Sequence, residues 1–128
     1  MRVSDVMIEE PKVLPATAAV ADVRSLFESS HVHLAVLVER GRLVTAISRE
    51  DIPPEVADDS LAAPWGHLEG RVVHPDAEVG PVRDLMLAKG ERRRIVTNEE
   101  GRLLGLLCLK HHGRGFCSDR DVDARSER

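Results

Sequence analysis

The chain repeats itself, and the repeat restricts its fold more than any short motif it carries. Val13-Leu14-Pro15 recurs as Val73-His74-Pro75, and Gly41-Arg42-Leu43-Val44 recurs as Gly101-Arg102-Leu103-Leu104, with one and the same offset for both pairs. Between these anchors Val20, Val23, Leu26 and Phe27 correspond to Val79, Val82, Leu85 and Met86 at an offset shorter by a single position. One residue is therefore lost before this segment and regained after it, and both slips fall where turns belong. The 128 residues thus hold two halves of nearly equal length. Units of ~60 residues bury too little surface to stand well alone, which predicts that the halves fold as one body.

Each half has the same grammar. A short extended segment, Lys12 to Leu14 or Val72 to His74, runs into a proline. Apolar residues at three- and four-residue spacing then predict an amphipathic helix, with Asp22, Arg24 and Glu28, or Arg83, Asp84 and Lys89, on its other faces. Thr17 and Asp76 are the expected N-caps. Pro81, just inside the second helix, predicts a later start for it than for its partner. Two apolar runs follow, Leu34 to Val38 and Leu43 to Ile47, parted by Glu39-Arg40-Gly41-Arg42, which reads as a hairpin of well-buried strands. Arg94 to Thr97, a turn at Asn98-Glu99-Glu100-Gly101, and Arg102 to Leu109 repeat it. Pro53-Pro54 resists regular helix, and the acidic, small-residue stretch that follows leaves room for one short helix over Glu55 to Ala63. The expected organisation is a first repeat over 1–54, a linker over 55–63, a second repeat over 64–112 and a polar tail over 113–128.

Composition removes several classes of function. The 18 basic and 22 acidic side chains give a net charge of −4, which argues against nucleic acid as a partner. Trp65, Phe27 and Phe116 are the only aromatics, too few to stack successive bases, and the core must be aliphatic. No apolar run approaches the ~20 residues of a membrane span, and Met1-Arg2-Val3-Ser4-Asp5 has no signal-peptide core, so no membrane partner and a cytoplasmic address are expected. Cys108, in an apolar run, and Cys117, in the tail, read as two unrelated thiols of a reducing compartment rather than a disulfide.

This grammar resembles the tandem cystathionine-β-synthase-type (CBS) domain pair, the Bateman module, over roughly Val3 to His112. The resemblance is carried by Val3-Ser4-Asp5-Val6-Met7, Val13-Leu14-Pro15, Leu34-Ala35-Val36-Leu37, and the run from Leu43 through Ser48-Arg49-Glu50-Asp51-Ile52. That run is similar to the family's glycine-apolar-apolar-Ser/Thr-x-x-Asp motif at a strand-to-helix turn, with Thr45 in place of the glycine. The resemblance implies an α/β (α+β) fold of two β-α-β-β-α repeats packed about a pseudo-twofold axis, with clefts between repeats that in many relatives bind adenosine nucleotides or S-adenosylmethionine. Asp51 would accept from both ribose hydroxyls, while Ser48 and free backbone N–H groups at a helix N-terminus face anionic oxygens. A plainer reading stands beside it: Ser48 as N-cap and Asp51 as its N3 partner, with no ligand.

The second half departs from the pattern. Gly105-Leu106-Leu107-Cys108-Leu109-Lys110-His111 puts Cys108 where Ser or Thr belongs and His111 where Asp belongs. An imidazole cannot accept two hydroxyl protons as a carboxylate does, so one ribose site around Ser48 and Asp51 is expected, the other altered or empty. His33 and Arg92 align with a family position whose basic residue reaches a ligand phosphate. Arg92-Arg93-Arg94 reads more plainly as a solvated basic edge.

The remaining constellations are weaker. His111-His112 with Cys117 matches no standard zinc spacing, and His31 with His33 reads as a surface edge, so no metal is expected. No nucleophile elbow or glycine-rich phosphate loop occurs, and Asp58-Asp59 read as solvated linker carboxylates, which excludes the usual signatures of an enzyme. Trp65 is expected to pack at a seam between halves or protomers. The resulting expectation is a regulatory module with no cofactor, sensing AMP, ADP, ATP or S-adenosylmethionine in the cleft between repeats. Its alternative is a structural homodimerisation module with decayed ligand sites.

Overall fold

The apolar runs at 34–38 and 94–97 need cover on both faces, and each becomes the middle strand of its own three-stranded sheet. The computed structural model describes residues 1–110 and 115–117. In chain order its elements are α1 (Val3–Val6), β1 (Leu14–Pro15), α2 (Val20–Leu26), β2 (Leu34–Glu39), β3 (Arg42–Ser48), a 3-10 turn (Ala63–Trp65), β4 (Val72–Val73), α3 (Val79–Lys89), β5 (Arg93–Thr97) and β6 (Leu103–Cys108). They form two compact units, residues 12–71 and residues 1–11 with the described residues from 72 onward.

Both units are built alike. A short strand pairs in parallel with the middle strand after a helical crossover, and a hairpin adds the third strand antiparallel. Leu34 stands opposite Ser48 and Arg93 opposite Cys108. Each hairpin also bulges at one place: the pairing jumps from Thr45 to Leu43 and from Gly105 to Leu103, skipping Val44 and Leu104, which are equivalent positions of the two repeats. The first hairpin turns through Arg40 and Gly41, at φ 53° and 80°, the pair of left-handed residues that a tight two-residue turn requires. The cores are aliphatic, Val20, Val23, Ala35, Leu37 and Ile47 in one unit and Val3, Met86, Val96, Leu107 and Leu109 in the other.

The helix starts differ from the expectation. Ala19 and Glu78 are the N-caps, not Thr17 and Asp76, and neither caps through its side chain. Distant carbonyls do that work. The Val20 and Ala21 N–H groups donate to Ser60 O at 2.8 Å and Asp58 O at 2.9 Å, and Val79 N–H donates to Met1 O at 2.9 Å. With the first amides satisfied this way, a capping side chain is not needed. Nor does α3 start late: Val79 is the counterpart of Val20, and Pro81 falls in the first turn, where a missing N–H costs no helical bond. The stretch from 55 to 62 forms turns and no helix. Arg24 pins it by donating to Pro53 O at 3.0 Å, Val56 O at 2.8 Å and Asp58 Oδ1 at 2.6 Å.

The segment ahead of each repeat completes a unit with a distant hairpin. Ile8 and Leu106 exchange backbone hydrogen bonds at 2.8 and 2.9 Å, and His67 N–H donates to Ala46 O at 3.0 Å. Ile8 and His67 occupy corresponding places, so the chain meets β6 at Ile8 as it meets β3 at His67. Such close approach requires a residue without a side chain. On β6 it is Gly105, whose added Cβ would fall 2.5 Å from Ile8 O. On β3 the corresponding position is Thr45, and the glycine stands on the crossing segment instead: a Cβ on Gly66 would fall 2.6 Å from both Ala46 O and Thr45 Oγ1.

The cysteines correct a second expectation. Cys108 and Cys117 are joined as a disulfide, with Cα atoms 5.2 Å apart. The chain beyond β6 folds back: Leu109 bridges to Phe116, Lys110 N–H donates to Gly115 O at 2.8 Å and Cys117 N–H to Cys108 O at 2.6 Å. The cysteine expected in a polar tail is thus buried with Ile8 and Cys108.

Candidate functional site

Ser48 ends β3, and Asp51 stands three residues on in a turn closed from both sides. Asp51 N–H donates to Ser48 O at 3.2 Å, and Ser48 N–H donates to Asp51 Oδ2 at 2.8 Å. This reciprocal pair is what the capping reading predicts, but no helix follows: residues 49–52 are turn and bend. Pro53 and Pro54 explain it, since they lack N–H donors and push the preceding residue out of the helical region. The expected helix N-terminus, with free N–H groups for an anion, is therefore not formed here.

Sequence reasoning missed Arg71, which lies just before β4. Its Nη1 donates to Asp51 Oδ2 at 2.8 Å, to Ala46 O at 2.7 Å and to His67 O at 3.2 Å, and the two paired side chains are 14% and 15% exposed. Asp51 Oδ1 has His67 Nε2 4.0 Å away, beyond hydrogen-bond reach. Burial works to raise the Asp51 pKa, but the hydrogen bond from Arg71, the Ser48 N–H, the Arg71 charge and a hydrogen bond from the Ser48 side chain together outweigh it and hold the carboxyl below its ordinary value. The carboxylate therefore stays ionised at neutral pH. Because its folded pKa is depressed, the stability it contributes is present above the ordinary aspartate pKa and fades as the pH falls through the depressed value. No local motif announces Arg71, which stands far along the chain from its partner in a stretch without periodicity.

The other candidate residues fall as follows. His33 directly precedes β2, next to the Leu34 that pairs with Ser48, so it belongs to the same strand ends as the Ser48 turn. Arg92 precedes β5 in the other unit, where its Nε donates to Leu109 O at 3.2 Å and its own carbonyl accepts from Leu109 N–H at 2.8 Å. The register makes the two positions counterparts. Arg93 and Arg94 are not a solvated edge: both are buried, and Arg94 Nε donates to Glu91 Oε2 at 2.8 Å. His111 and His112 lie outside the described residues, as does most of the tail. Among the described residues no group of three or more His, Cys, Asp or Glu side chains could hold a metal ion. Ser48 also lines a pocket of about 280 Å³ with Val23, Arg24, Phe27, Arg49, Ile52 and Pro54. That is just below the ~300–1,000 Å³ typical of ligand pockets, and Asp51 does not line it.

Residues 3–53 and 71–111 both match the family model described as the CBS domain. The chain belongs to the CBS-domain family. Its two CBS repeats stand in tandem as a Bateman module, and solved CBS structures share the fold. One is a CBS domain protein from Pyrobaculum aerophilum complexed with AMP, 24% identical over 100% of both chains with a TM-score of 0.70. Another holds the CBS domains of a transcriptional regulator from Streptococcus pneumoniae, 16% identical over 97% of this chain and 98% of that one, TM-score 0.70. A third is a CBS domain pair/ACT domain protein from Thermotoga maritima, 20% identical over 99% and 98%, TM-score 0.67. No curated protein matches by sequence. The first CBS repeat thus keeps its Ser-x-x-Asp, held by an arginine, while the second carries a cystine at the Ser/Thr position.

Proposed function

We propose that this CBS pair is a regulatory module, not an enzyme, that senses an adenosine nucleotide or related adenosyl ligand at the Ser48–Asp51 turn. The observation that carries the reading is Asp51: ionised, largely buried, and held by Ser48 and Arg71 with an acceptor site left for a hydroxyl donor. A ribose hydroxyl is such a donor, and Ser48 and His33 at the neighbouring strand ends supply polar contacts for the rest of the ligand. Arg92 is the counterpart of His33 and would serve phosphate in its own repeat. Support also comes from relatives solved with adenine nucleotides, the Pyrobaculum aerophilum protein with AMP and the CBS domain of a bacterial CNNM/CorC-family Mg2+ transporter with ATP. We place the module in the cytoplasm and in a homodimer; no helix of the described residues is long and apolar enough to cross a membrane.

A ligand selective for the folded state raises its apparent stability. Thermal shift against millimolar AMP, ADP, ATP and S-adenosylmethionine should give a rise in Tm with at least one of them, and Asp51→Ala should remove it. No rise with any of the four would sink the reading. The alternative, a dimerisation module without ligand, is favoured by Leu85 and Leu87, 44% and 48% exposed on α3. Loss of ligand response together with a stable dimer would select it.

A further inference from the structure

The Ser48–Asp51 turn holds a side chain that the family motif does not contain. Asp51 Oδ2 accepts two hydrogen bonds, from Ser48 N–H and from Arg71 Nη1, each at 2.8 Å. A carboxylate oxygen has two lone-pair sites in its plane, so Oδ2 is filled. The bond from Arg71 is charge-assisted, and the guanidinium is held in place by the Ala46 and His67 carbonyls as well. A ribose presents two adjacent hydroxyls, and a free carboxylate can give each an oxygen of its own. Here the Ser48 N–H, the Ser48 side chain and Arg71 take three of the carboxylate's four acceptor sites, and one remains.

We propose that Arg71 is the specificity-determining residue of this turn: by taking an acceptor site on Oδ2 it leaves the Asp51 carboxylate a single one, so that the turn reads one ribose hydroxyl and not both. This inference rests on the nucleotide reading above. A second hydroxyl gains Oδ2 only by displacing an arginine anchored at three acceptors, which exchanges a bond between two ions for one from an uncharged donor. Arg71 also balances the Asp51 charge, which lets an anionic nucleotide approach a buried carboxylate without repulsion.

The test is calorimetry on the full chain with AMP, 2′-deoxyadenosine monophosphate and 3′-deoxyadenosine monophosphate. In the wild type, one deoxynucleotide should bind within about twofold of AMP and the other should lose about tenfold or more, the worth of one hydrogen bond to a charged group. In Arg71→Met both hydroxyls should matter, each deletion weakening binding by about tenfold. Arg71→Lys, which keeps a cation beside Oδ2, should retain the wild-type pattern. Equal penalties for the two deletions in the wild type would overturn the inference, and this arm needs no variant to fold. An unchanged pattern in a folded Arg71→Met would also overturn it. Absence of AMP binding to every one of these proteins would instead overturn the nucleotide reading, and the inference with it.

Discussion

The turn after β3 and the end of β6 occupy the same place in their repeats, yet they are held by opposite means. After β3 the chain is fixed by charge and hydrogen bonds, with Asp51 gripped by the Ser48 N–H, the Ser48 side chain and Arg71 and one acceptor site left over. At β6 the corresponding Cys108 is fixed covalently to Cys117, and the returning chain pairs through Leu109 and Phe116. The first arrangement retains an acceptor that a ligand can use, and the second consumes the side chain that the motif would offer. A duplicated element can therefore keep its fold in both copies while only one copy keeps a polar group to spare.

A second contrast concerns the glycine of the close approach, on β6 in one unit and on the crossing segment in the other. Gly105→Ala should lower stability by about 3 kcal/mol in urea unfolding, because the new Cβ meets the backbone carbonyl of Ile8, which cannot swing aside as the neighbouring Met7 side chain can. Tolerance of that alanine would mean residues 7–8 do not lie against β6. The disulfide should matter somewhat less. Cys117→Ser should cost about 2 kcal/mol of stability by releasing a short loop in the unfolded chain, and thermal melts with and without reductant should show the same loss in the wild type. If that variant also changed the AMP response, the two turns would not be independent, and the contrast drawn between them would fail.

Much of this fold is legible in the residues. The spacing of Val20, Val23, Leu26 and Phe27 against Val79, Val82, Leu85 and Met86, with the apolar runs behind them, marks both helices and both hairpins, because periodicity records which face is buried. The helix caps are not legible, because Ser60, Asp58 and Met1 supply carbonyls from far along the chain. The bulges at Val44 and Leu104 leave no local signature. Ser48 and Asp51 follow from the motif, but Arg71 does not, since its role depends on a fold that returns residue 71 to residue 51. The Cys108–Cys117 pairing is hidden by the polarity around Cys117, which suggests a solvated tail instead of a returning strand.

The number of AMP molecules bound per chain, measured by titration calorimetry on the wild type and Asp51→Ala, decides whether the two turns differ as described. One site per chain in the wild type and none in Asp51→Ala is the expected result. Two equivalent sites, or binding unaltered by Asp51→Ala, would contradict it.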